Sequence, residues 1–378
     1  MGAAFRSCSS LTEVSIPERV TEIGSMVFFD CRNLTSIEVE LGNPSYASKD
    51  GVLLNADLTT VLVCPAGKPG SYTIPSSVTH GLGSVFGNCW NLQSIDVEEG
   101  NLRYASDDGV LLDTHLTEVI RCPQRKPGTY SIPTTVTTIG WGAFRDCAGL
   151  TSATIPESVT EIDGYAFQGC TGLTSLTLED GLTSIGDSMF SGCTGLGSIT
   201  IPDSVTHIGS GAFSGCTGLT SVSIPESVTA IGRYAFSGCT ALTSVSIAEG
   251  VTSIGNQSLS GCTGLTAAIF RGDAPSTFDQ GAFADAAPNF TIYYLRGSSG
   301  FTSPTWQGYP AVMIDGAAHP AATWLLEHGL PHDADVHQDH NGDGVSLLMA
   351  YALDLDPRQN LGSRLPTPVV DGDHLGIS

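Results

Sequence analysis

Cysteine recurs in this sequence at a fixed interval of 23 residues, and that interval constrains the fold more than any other feature. The evenly spaced positions are Cys147, Cys170, Cys193, Cys216, Cys239 and Cys262. A leucine follows each of them by three residues, and a phenylalanine precedes each by three, except that Leu259 precedes the last. A period of about 20 to 50 residues is typical of proteins in which one supersecondary unit stacks on the next. The sequence therefore predicts a repeat solenoid.

Each 23-residue repeat has its own order of apolar positions. Leu219, Val222 and Ile224 begin one repeat and are separated by Thr and Ser. This alternation predicts a short strand with one buried face. The spacing of apolar residues from Phe236 to Cys239 predicts a single helical turn at the end of the repeat. We therefore expect a solenoid that is mainly β with short helical turns.

Two consecutive units near the N-terminus are longer than the others. Cys31, Cys89 and Cys147 lie 58 residues apart, so each of these units is a normal repeat with a 35-residue insertion. The insertions are copies of each other, since residues 46–54 match 104–112 and residues 68–75 match 126–133. Their Asp-Gly pairs and Lys-Pro-Gly triplets are typical of turns. We expect the insertions to add strands and hairpins to the same stack.

The charge of the chain argues against two classes of partner. Its 15 Lys and Arg face 38 Asp and Glu, which gives a net charge of −23. Too few cations are present to neutralise nucleic-acid phosphates or to hold an anionic membrane surface. No apolar run is long enough to predict a transmembrane helix. We expect no nucleic-acid partner and no membrane insertion.

The eleven cysteines are predicted to be reduced and buried. Nine of them occupy one position of the repeat, so their side chains point the same way in rungs about 4.8 Å apart. A disulfide needs two Cβ atoms that face each other, whereas a free cysteine packs as a small hydrophobe. The sequence contains no C-x-x-C pair, which weakens a zinc or redox interpretation.

Common catalytic motifs do not occur in the sequence. It lacks a G-x-S-x-G elbow, a P-loop, a G-x-G-x-x-G after a strand, and H-E-x-x-H, which are the patterns that place nucleophiles, phosphates and metals. Pairs of carboxylates are abundant in so acidic a chain and carry no weight by themselves. We therefore expect no enzymatic activity.

Changes of pattern divide the chain into four predicted segments. Residues 1–266 hold the repeats, and because residues 1–5 match the middle of a unit, we expect the sequence to begin inside a repeat. Residues 267–315 keep a degenerate, aromatic-rich repeat that predicts the C-terminal cap. Residues 316–360 are predicted to form a helix, an Asp-rich loop and a second helix. Residues 361–378 are predicted to form a linker and the first strand of a truncated domain.

The repeat unit C-x-x-L-T-S-V-x-I-P-x-x-V-T-x-I-G-x-x-A-F-x-x-C resembles the BspA-like class of leucine-rich repeats over about residues 1–315. The 58-residue units are similar to the longer repeat variant of that family. Its members are typically secreted or surface-attached proteins of bacteria and protists, implicated in adhesion without enzymatic activity. The resemblance implies a leucine-rich repeat protein, secreted or on a bacterial cell surface, whose partner is a protein or a matrix or cell-surface ligand.

Residues 339–351 resemble the D-x-D-G-D-G-L-S-N-L-L-E-Y calcium loop of dockerin and thrombospondin type 3 modules. Oxygen ligands at loop positions 1, 3 and 5 with glycine at position 6 suit Ca²⁺. The predicted ligands are Asp339, Asn341, Asp343, the carbonyl of Val345, and Asp335. Ala350 replaces the bidentate Glu of position 12, so the resemblance implies a weak site. The alternative is a loop that keeps its turn without a metal.

Two functions fit these patterns. In the first, the chain is a monomeric, non-catalytic protein-binding or adhesion solenoid, with outward residues such as Thr220, Ser221 and Ser223 as its contact surface. In the second, it is a spacer or stalk that presents a downstream domain and is stiffened by the calcium loop at the junction. Exposed aromatic or charged clusters on one face favour binding, whereas a uniform Thr and Ser surface favours the spacer.

Overall fold

The computed structural model describes residues 4–24, 26–314, 322–328, 330, 368–371 and 374–377. The chain folds as a β-solenoid with almost no helix in this described part, as the 23-residue period predicted. It divides into two compact units. The first comprises residues 1–242, 250–263 and 276–286, and the second comprises residues 243–249, 264–275 and 287–378.

The first unit contains one four-residue helix, α1 (Leu82–Val85), among many short strands. Its strands are β1 (Glu13–Ile16), β2 (Ser36–Val39), β3 (Tyr46–Lys49), β4 (Val52–Asn55), β5 (Val61–Val63), β6 (Gly70–Ile74), β7 (Leu92–Val97), β8 (Tyr104–Asp107), β9 (Val110–Asp113), β10 (Glu118–Arg121), β11 (Gly128–Ser131), β12 (Thr138–Ile139), β13 (Leu150–Ile155), β14 (Glu161–Ile162), β15 (Ser175–Leu178), β16 (Ser184–Ile185), β17 (Ser198–Thr200), β18 (His207–Ile208), β19 (Ser221–Ser223), β20 (Ala230–Ile231), β22 (Ser253–Ile254) and β24 (Thr277–Phe278).

Each regular repeat contributes a longer strand and a two-residue strand, and within each sheet a strand pairs in parallel with its equivalent in the next repeat. The short strands β16, β18, β20, β22 and β24 form one such ladder. Ile208 pairs with Ile231, and Ile231 pairs with Ile254, at the 23-residue interval of the sequence. Because this ladder keeps the 23-residue register, equivalent side chains lie above one another, and each apolar position becomes a column through the core.

Phenylalanine forms one of these columns. The ring of Phe213 stacks on Phe190 with centroids 5.3 Å apart and on Phe236 at 5.2 Å. Phe144 and Phe167 continue the column at 4.6 Å. All of these rings are fully buried. The column therefore ties each repeat to both of its neighbours.

The helical turn expected at the end of each repeat is an open run of hydrogen-bonded turns. Cys216 N donates to Phe213 O over three residues. The N–H groups of Phe213 and Gly215, however, donate to Ala235 O and Ser237 O of the next repeat, each at 2.7 Å. A helix would need those donors within its own turn. The backbone here gives them to the neighbouring repeat, so the segment stacks as a ladder.

The prediction of reduced, buried cysteines is confirmed. All eleven are free, and only Cys8 is not buried. Burial raises the pKa of the Cys170 and Cys216 thiols, so both stay protonated and can donate. Five consecutive thiols donate to a phenylalanine carbonyl 26 residues earlier, namely Cys170 to Phe144, Cys193 to Phe167, Cys216 to Phe190, Cys239 to Phe213 and Cys262 to Phe236.

The 35-residue insertions form hairpins, as their turn residues predicted. Strands β3, β4 and β5 pair antiparallel in the first copy, and β8, β9 and β10 do so in the second. The Asp-Gly pairs stand at the tips, with Asp50 and Asp108 both in the left-handed region at φ 52° and 45°. The two copies therefore share one architecture.

In each insertion, a buried lysine forms a hydrogen bond to the tip of the hairpin in the same insertion. The Lys126 side chain is only 6% exposed, and its Nζ donates to the carbonyl of Asp108 at 2.6 Å and to the carboxylate at 2.8 Å. Its ammonium also lies 5.4 Å from the Tyr130 ring centroid. Lys68 makes the equivalent bond to Asp50 O at 2.6 Å. The sequence identified Lys-Pro-Gly as a turn but did not reveal this buried cation.

The second unit contains the helix α2 (Ala322–Glu327) and seven strands. These strands are β21 (Ser244–Ile247), β23 (Ala267–Phe270), β25 (Thr291–Leu295), β26 (Thr305–Trp306), β27 (Tyr309–Ile314), β28 (Pro368–Asp371) and β29 (His374–Ile377). Strands β21, β23, β25 and β27 pair in parallel, and β26 pairs antiparallel with β27. Strands β28 and β29 form an antiparallel hairpin.

Aromatic packing fills the second unit where the sequence predicted a cap. The Phe301 ring stacks on Tyr294 at 4.7 Å and contacts Trp306 at 4.8 Å and Phe270 at 5.2 Å. Helix α2 is attached to strand β21, because Ser244 Oγ donates to the carbonyl of Glu327 at 2.8 Å.

Candidate functional site

The predicted contact residues lie on the outer face of the longer strands. Ser221 and Ser223 are exposed on either side of the buried Val222. Thr220 is also exposed, but its hydroxyl donates to the carbonyl of Gly197 at 3.0 Å, beside a backbone bond to the same oxygen. Thr220 is therefore a structural ladder residue as well as a surface residue.

This threonine ladder extends along the chain. Hydroxyls at equivalent positions donate to the preceding repeat in Thr35, Thr151, Thr174, Thr220 and Thr266. The outward strand positions between them, such as Ser198, Thr200, Ser221 and Ser223, are short hydroxyl side chains. In these repeats the strand face is chemically uniform, which is the pattern expected of a spacer.

The turn side of the first unit carries a different surface, which we call the aromatic patch and define as Trp141, Arg145 and Tyr165. Trp141 is 58% exposed and Tyr165 is 39% exposed. Their rings meet edge to face at 5.9 Å, and the Arg145 guanidinium lies 6.0 Å from the Trp141 ring centroid. The three side chains hold one another in place at the surface.

Sequence reasoning did not single out the aromatic patch, although a signal was present. The repeats that follow Trp141 have Gly164, Asp187 and Ser210 at the equivalent position. A tryptophan where the stack accepts small or polar residues is not required by the repeat. Comparing outward positions from repeat to repeat would have found it.

Tyr165 also occupies an unusual backbone position. Its φ is 61°, in the left-handed region, and Tyr234 has φ 57° at the equivalent place. Gly211 takes the same conformation at φ 63°. A non-glycine residue there costs roughly 1–2 kcal/mol. Ser188 and Gln257 share the conformation at φ 52° and 53°, so the stacked repeats enforce it at this position whatever the side chain.

A groove of about 540 Å³ lies beside the aromatic patch, and we call it the Trp141 groove. It is lined by Thr79, His80, Gly81, Leu82, Gly83, Ser84, Arg103, Tyr104 and Trp141. Helix α1 and the residues before it form one side, and the start of β8 forms another. The His80 ring contacts the Thr79 hydroxyl at 2.8 Å, and the Tyr104 hydroxyl donates to the carbonyl of Thr79.

Charges of both signs surround this groove. Arg103 lines it directly. A Cβ placed at Gly140 would lie 3.2 Å from Glu118 Oε1, so Glu118 reaches the residue that precedes Trp141. Partial burial, together with the nearby Asp113 and Asp163 carboxylates, raises the pKa of Glu118, and Arg103 opposes this shift. The groove therefore offers hydrogen-bond donors and acceptors without a net positive field.

The predicted calcium ligands Asp335, Asp339, Asn341, Asp343 and Val345 lie outside the described residues, so calcium binding stays a prediction. Within the part of the chain that the structure describes, no group of three or more His, Cys, Asp or Glu could hold a metal ion. Neither α1 nor α2, the helices of that part, is long and apolar enough to cross a membrane.

Comparison with known proteins identifies the repeats. The BspA type leucine rich repeat region matches in six copies, over residues 2–49, 126–216 and 183–295. Together these cover more than half of the chain. No curated protein matches the sequence.

Solved structures of similar proteins are also repeat proteins. A leucine-rich repeat protein from Eubacterium ventriosum is 24% identical over 68% of this chain and 78% of that chain, with a TM-score of 0.50. A leucine rich cell surface protein from Faecalibacterium prausnitzii is 27% identical over 62% and 78%, with a TM-score of 0.46. The pneumococcal vaccine antigen PcpA is 20% identical over 76% and 64%, with a TM-score of 0.48.

The likeness to the Eubacterium ventriosum protein agrees with the solenoid fold. The six repeat matches agree with the 23-residue period, the parallel ladders and the phenylalanine column. This chain belongs to the family of BspA-type leucine-rich repeat proteins.

Proposed function

We propose that this chain is a non-catalytic binding solenoid of a secreted or cell-surface bacterial protein, with a protein or a matrix or cell-surface ligand as its partner. The observation that carries the proposal is the aromatic patch. Trp, Tyr and Arg are the residue types enriched where binding energy concentrates in interfaces. The repeat does not require a tryptophan at this position, because Asp187 and Ser210 fill it in other repeats.

Family membership supports the same proposal. Repeat proteins of this type are generally non-enzymatic scaffolds and commonly bind proteins. Homologous repeat proteins of the BspA type are described as cell-surface proteins. A solenoid offers an extended surface for such contacts.

The spacer function remains the second candidate, and the strand face favours it. Ser221 and Ser223, like Ser198 and Thr200 in the preceding repeat, are short and polar. A spacer of this kind would present a downstream domain, and the loop with Asp339 and Asp343 would bind Ca²⁺ at the junction. The test of that loop is thermal melting with and without Ca²⁺. A melting temperature that rises with Ca²⁺, and does not rise after Asp339→Ala and Asp343→Ala, supports the metal site.

Binding and spacing are separated by surface variants of the whole chain. The chain is applied to intact epithelial cells and to immobilised extracellular matrix proteins, and bound protein is quantified at increasing concentration. We expect saturable binding that falls at least tenfold in Trp141→Ser and is unchanged in the strand-face variant Ser221→Lys. Equal binding of the native chain and both variants to every surface contradicts the proposal and leaves the spacer function.

A further inference from the structure

We infer that the Trp141 groove binds the ring of a neutral saccharide, with the Trp141 indole as the surface on which the sugar stacks. This inference rests on the proposed function, because it specifies the chemistry of the ligand that the binding solenoid takes. It assigns the groove to a carbohydrate displayed on a cell, matrix component or glycoprotein.

The indole is presented in the way that stacking on a sugar requires. The face of an aromatic ring is electronegative and attracts polarised hydrogens, such as the C–H groups of a pyranose. Gly140 and Gly142 flank Trp141, so neither neighbouring residue has a side chain that could cover the ring. The groove volume of about 540 Å³ lies within the range of small-molecule sites, about 300–1,000 Å³.

Polar groups around the indole suit a ligand that both donates and accepts hydrogen bonds. The guanidinium of Arg103 supplies only donors, and the Ser84 hydroxyl can donate and accept. The Tyr104 hydroxyl already donates to the carbonyl of Thr79, and the Thr79 hydroxyl pairs with the His80 ring, so these two hydroxyls can still accept from a ligand. All four residues line the groove. A saccharide hydroxyl has the same double capacity, so each lining group can be matched by a sugar hydroxyl.

The charge of the chain disfavours an anionic ligand. Arg103 lines the groove, but the Glu118 carboxylate reaches Gly140, the residue that precedes Trp141. The net charge of −23 adds to the repulsion. A neutral ligand is not repelled by this charge.

The floor of the groove disfavours an apolar peptide. Leu82 is its aliphatic lining residue and is only 1% exposed. A peptide side chain inserted there would find no apolar socket, whereas peptide recognition in grooves depends on such sockets. The exposed apolar surface is the flat ring of Trp141, which fits the flat face of a sugar.

Tyr165 contributes as a positioning residue. Its ring meets Trp141 edge to face, which restricts the orientation of the indole. The chain keeps Tyr165 at a φ of 61°, although Gly211 shows that glycine adopts this conformation. Removing the tyrosine therefore relieves backbone strain while loosening the stacking surface. If Tyr165 were purely structural, Tyr165→Gly would leave ligand binding unchanged, whereas a positioning role predicts that the variant binds more weakly.

The test uses the full chain and methyl glycosides of glucose, galactose, mannose and N-acetylglucosamine as probes in ligand-observed NMR. A glycan array with neutral and sialylated members extends the search. We expect saturation transfer to the ring C–H protons of at least one neutral glycoside. Trp141→Ser and Tyr165→Gly are expected to weaken its binding at least tenfold. The matched control Tyr234→Gly, outside the groove, is expected to bind as the native chain does. Because Ser210 and Gly211 occupy the substituted positions elsewhere, the variants should fold, and their melting temperatures verify this.

Several outcomes contradict the inference. Binding of sialylated members alone would overturn neutrality, and neutral binding that survives Trp141→Ser would overturn the site. If no saccharide binds, yet a deglycosylated protein partner is captured in a Trp141-dependent manner, the inference fails while the proposed binding function stands. If neither saccharide nor any Trp141-dependent partner is found, both fail.

Discussion

Phe213 is the position at which the stacking argument can be tested most directly. Its side chain is fully buried, and its ring stacks on Phe190 at 5.3 Å and on Phe236 at 5.2 Å. Truncating a buried phenylalanine to alanine costs about 3–5 kcal/mol. Each aromatic pair contributes about 0.5–1.5 kcal/mol beyond area burial. Since Phe213→Ala removes two pairs, we expect a loss in the upper half of that range, about 4–5 kcal/mol.

Two matched variants calibrate this value. Phe5 is 47% exposed and stacks on Phe28 at 5.8 Å, so Phe5→Ala should cost below about 1.5 kcal/mol. Leu259 fills the equivalent position in a later repeat and is itself fully buried. Phe213→Leu keeps an apolar side chain that the repeat already accommodates, and it should cost about 1–2 kcal/mol.

Guanidinium unfolding followed by circular dichroism measures these differences, and native-state hydrogen exchange locates them. In a solenoid, stability is the sum of repeat terms and nearest-neighbour terms. Loss of protection should therefore concentrate in the repeats that contain Phe190 and Phe236. The reasoning would be refuted if Phe213→Ala and Phe5→Ala cost the same, or if protection fell evenly across all repeats.

Three further predictions concern single interactions. Burial raises the pKa of Asp113, but hydrogen bonds from Glu118 and Thr117 outweigh it and lower the pKa overall. The stabilisation by Asp113 is therefore present above about pH 4 and lost as the pH falls through the lower folded pKa. Thermal melting between about pH 5 and pH 2 should show this loss. Asp113→Asn should remove the pH dependence and keep the turn, because Asn55 makes the same turn in the other insertion. Lys126→Met removes the hydrogen bond that the buried ammonium donates to the carbonyl of Asp108 and should cost about 1–3 kcal/mol in denaturant unfolding. Lys49→Met, at a partly exposed ion pair, should cost below about 1 kcal/mol. Iodoacetamide should modify Cys8 in the native protein and all eleven cysteines only after denaturation. Mass spectrometry counts the modified cysteines, and rapid modification of Cys216 in the native protein would contradict the buried column of cysteines.

Sequence alone predicted the parts of the fold that periodicity controls. The strand at Ser221–Ser223, the column through Phe213 and the thiol column at Cys216 all follow from one residue type at one interval. The Asp-Gly tips at Asp50 and Asp108 follow from turn chemistry. These features are local or recur from repeat to repeat, so the sequence shows each pattern several times.

Features that depend on contacts between residues far apart in the sequence could not be predicted in this way. Lys126 lies 18 residues from the Asp108 carbonyl that it binds, and no local pattern marks that contact. The predicted helical turn became a ladder because Phe213 N–H donates to Ala235 O, a choice that depends on the stacked neighbour. Trp141 does not follow the repeat consensus, so an argument built on periodicity passes over it.

The location of the Trp141 groove follows from the way the repeat is interrupted. In the regular repeats, each outer position lies beside the same position of the next repeat, which gives a uniform surface such as that around Ser221. The two long units break this equivalence: the first supplies residues 79–84, and the second supplies Arg103 and Tyr104 from its insertion and Trp141 from its regular part. A concave site with several chemical groups can form only where unlike segments meet. We therefore expect the contacts that select a ligand at the junction of the insertions with the regular repeats, whereas the strand face adds length and stability to the solenoid.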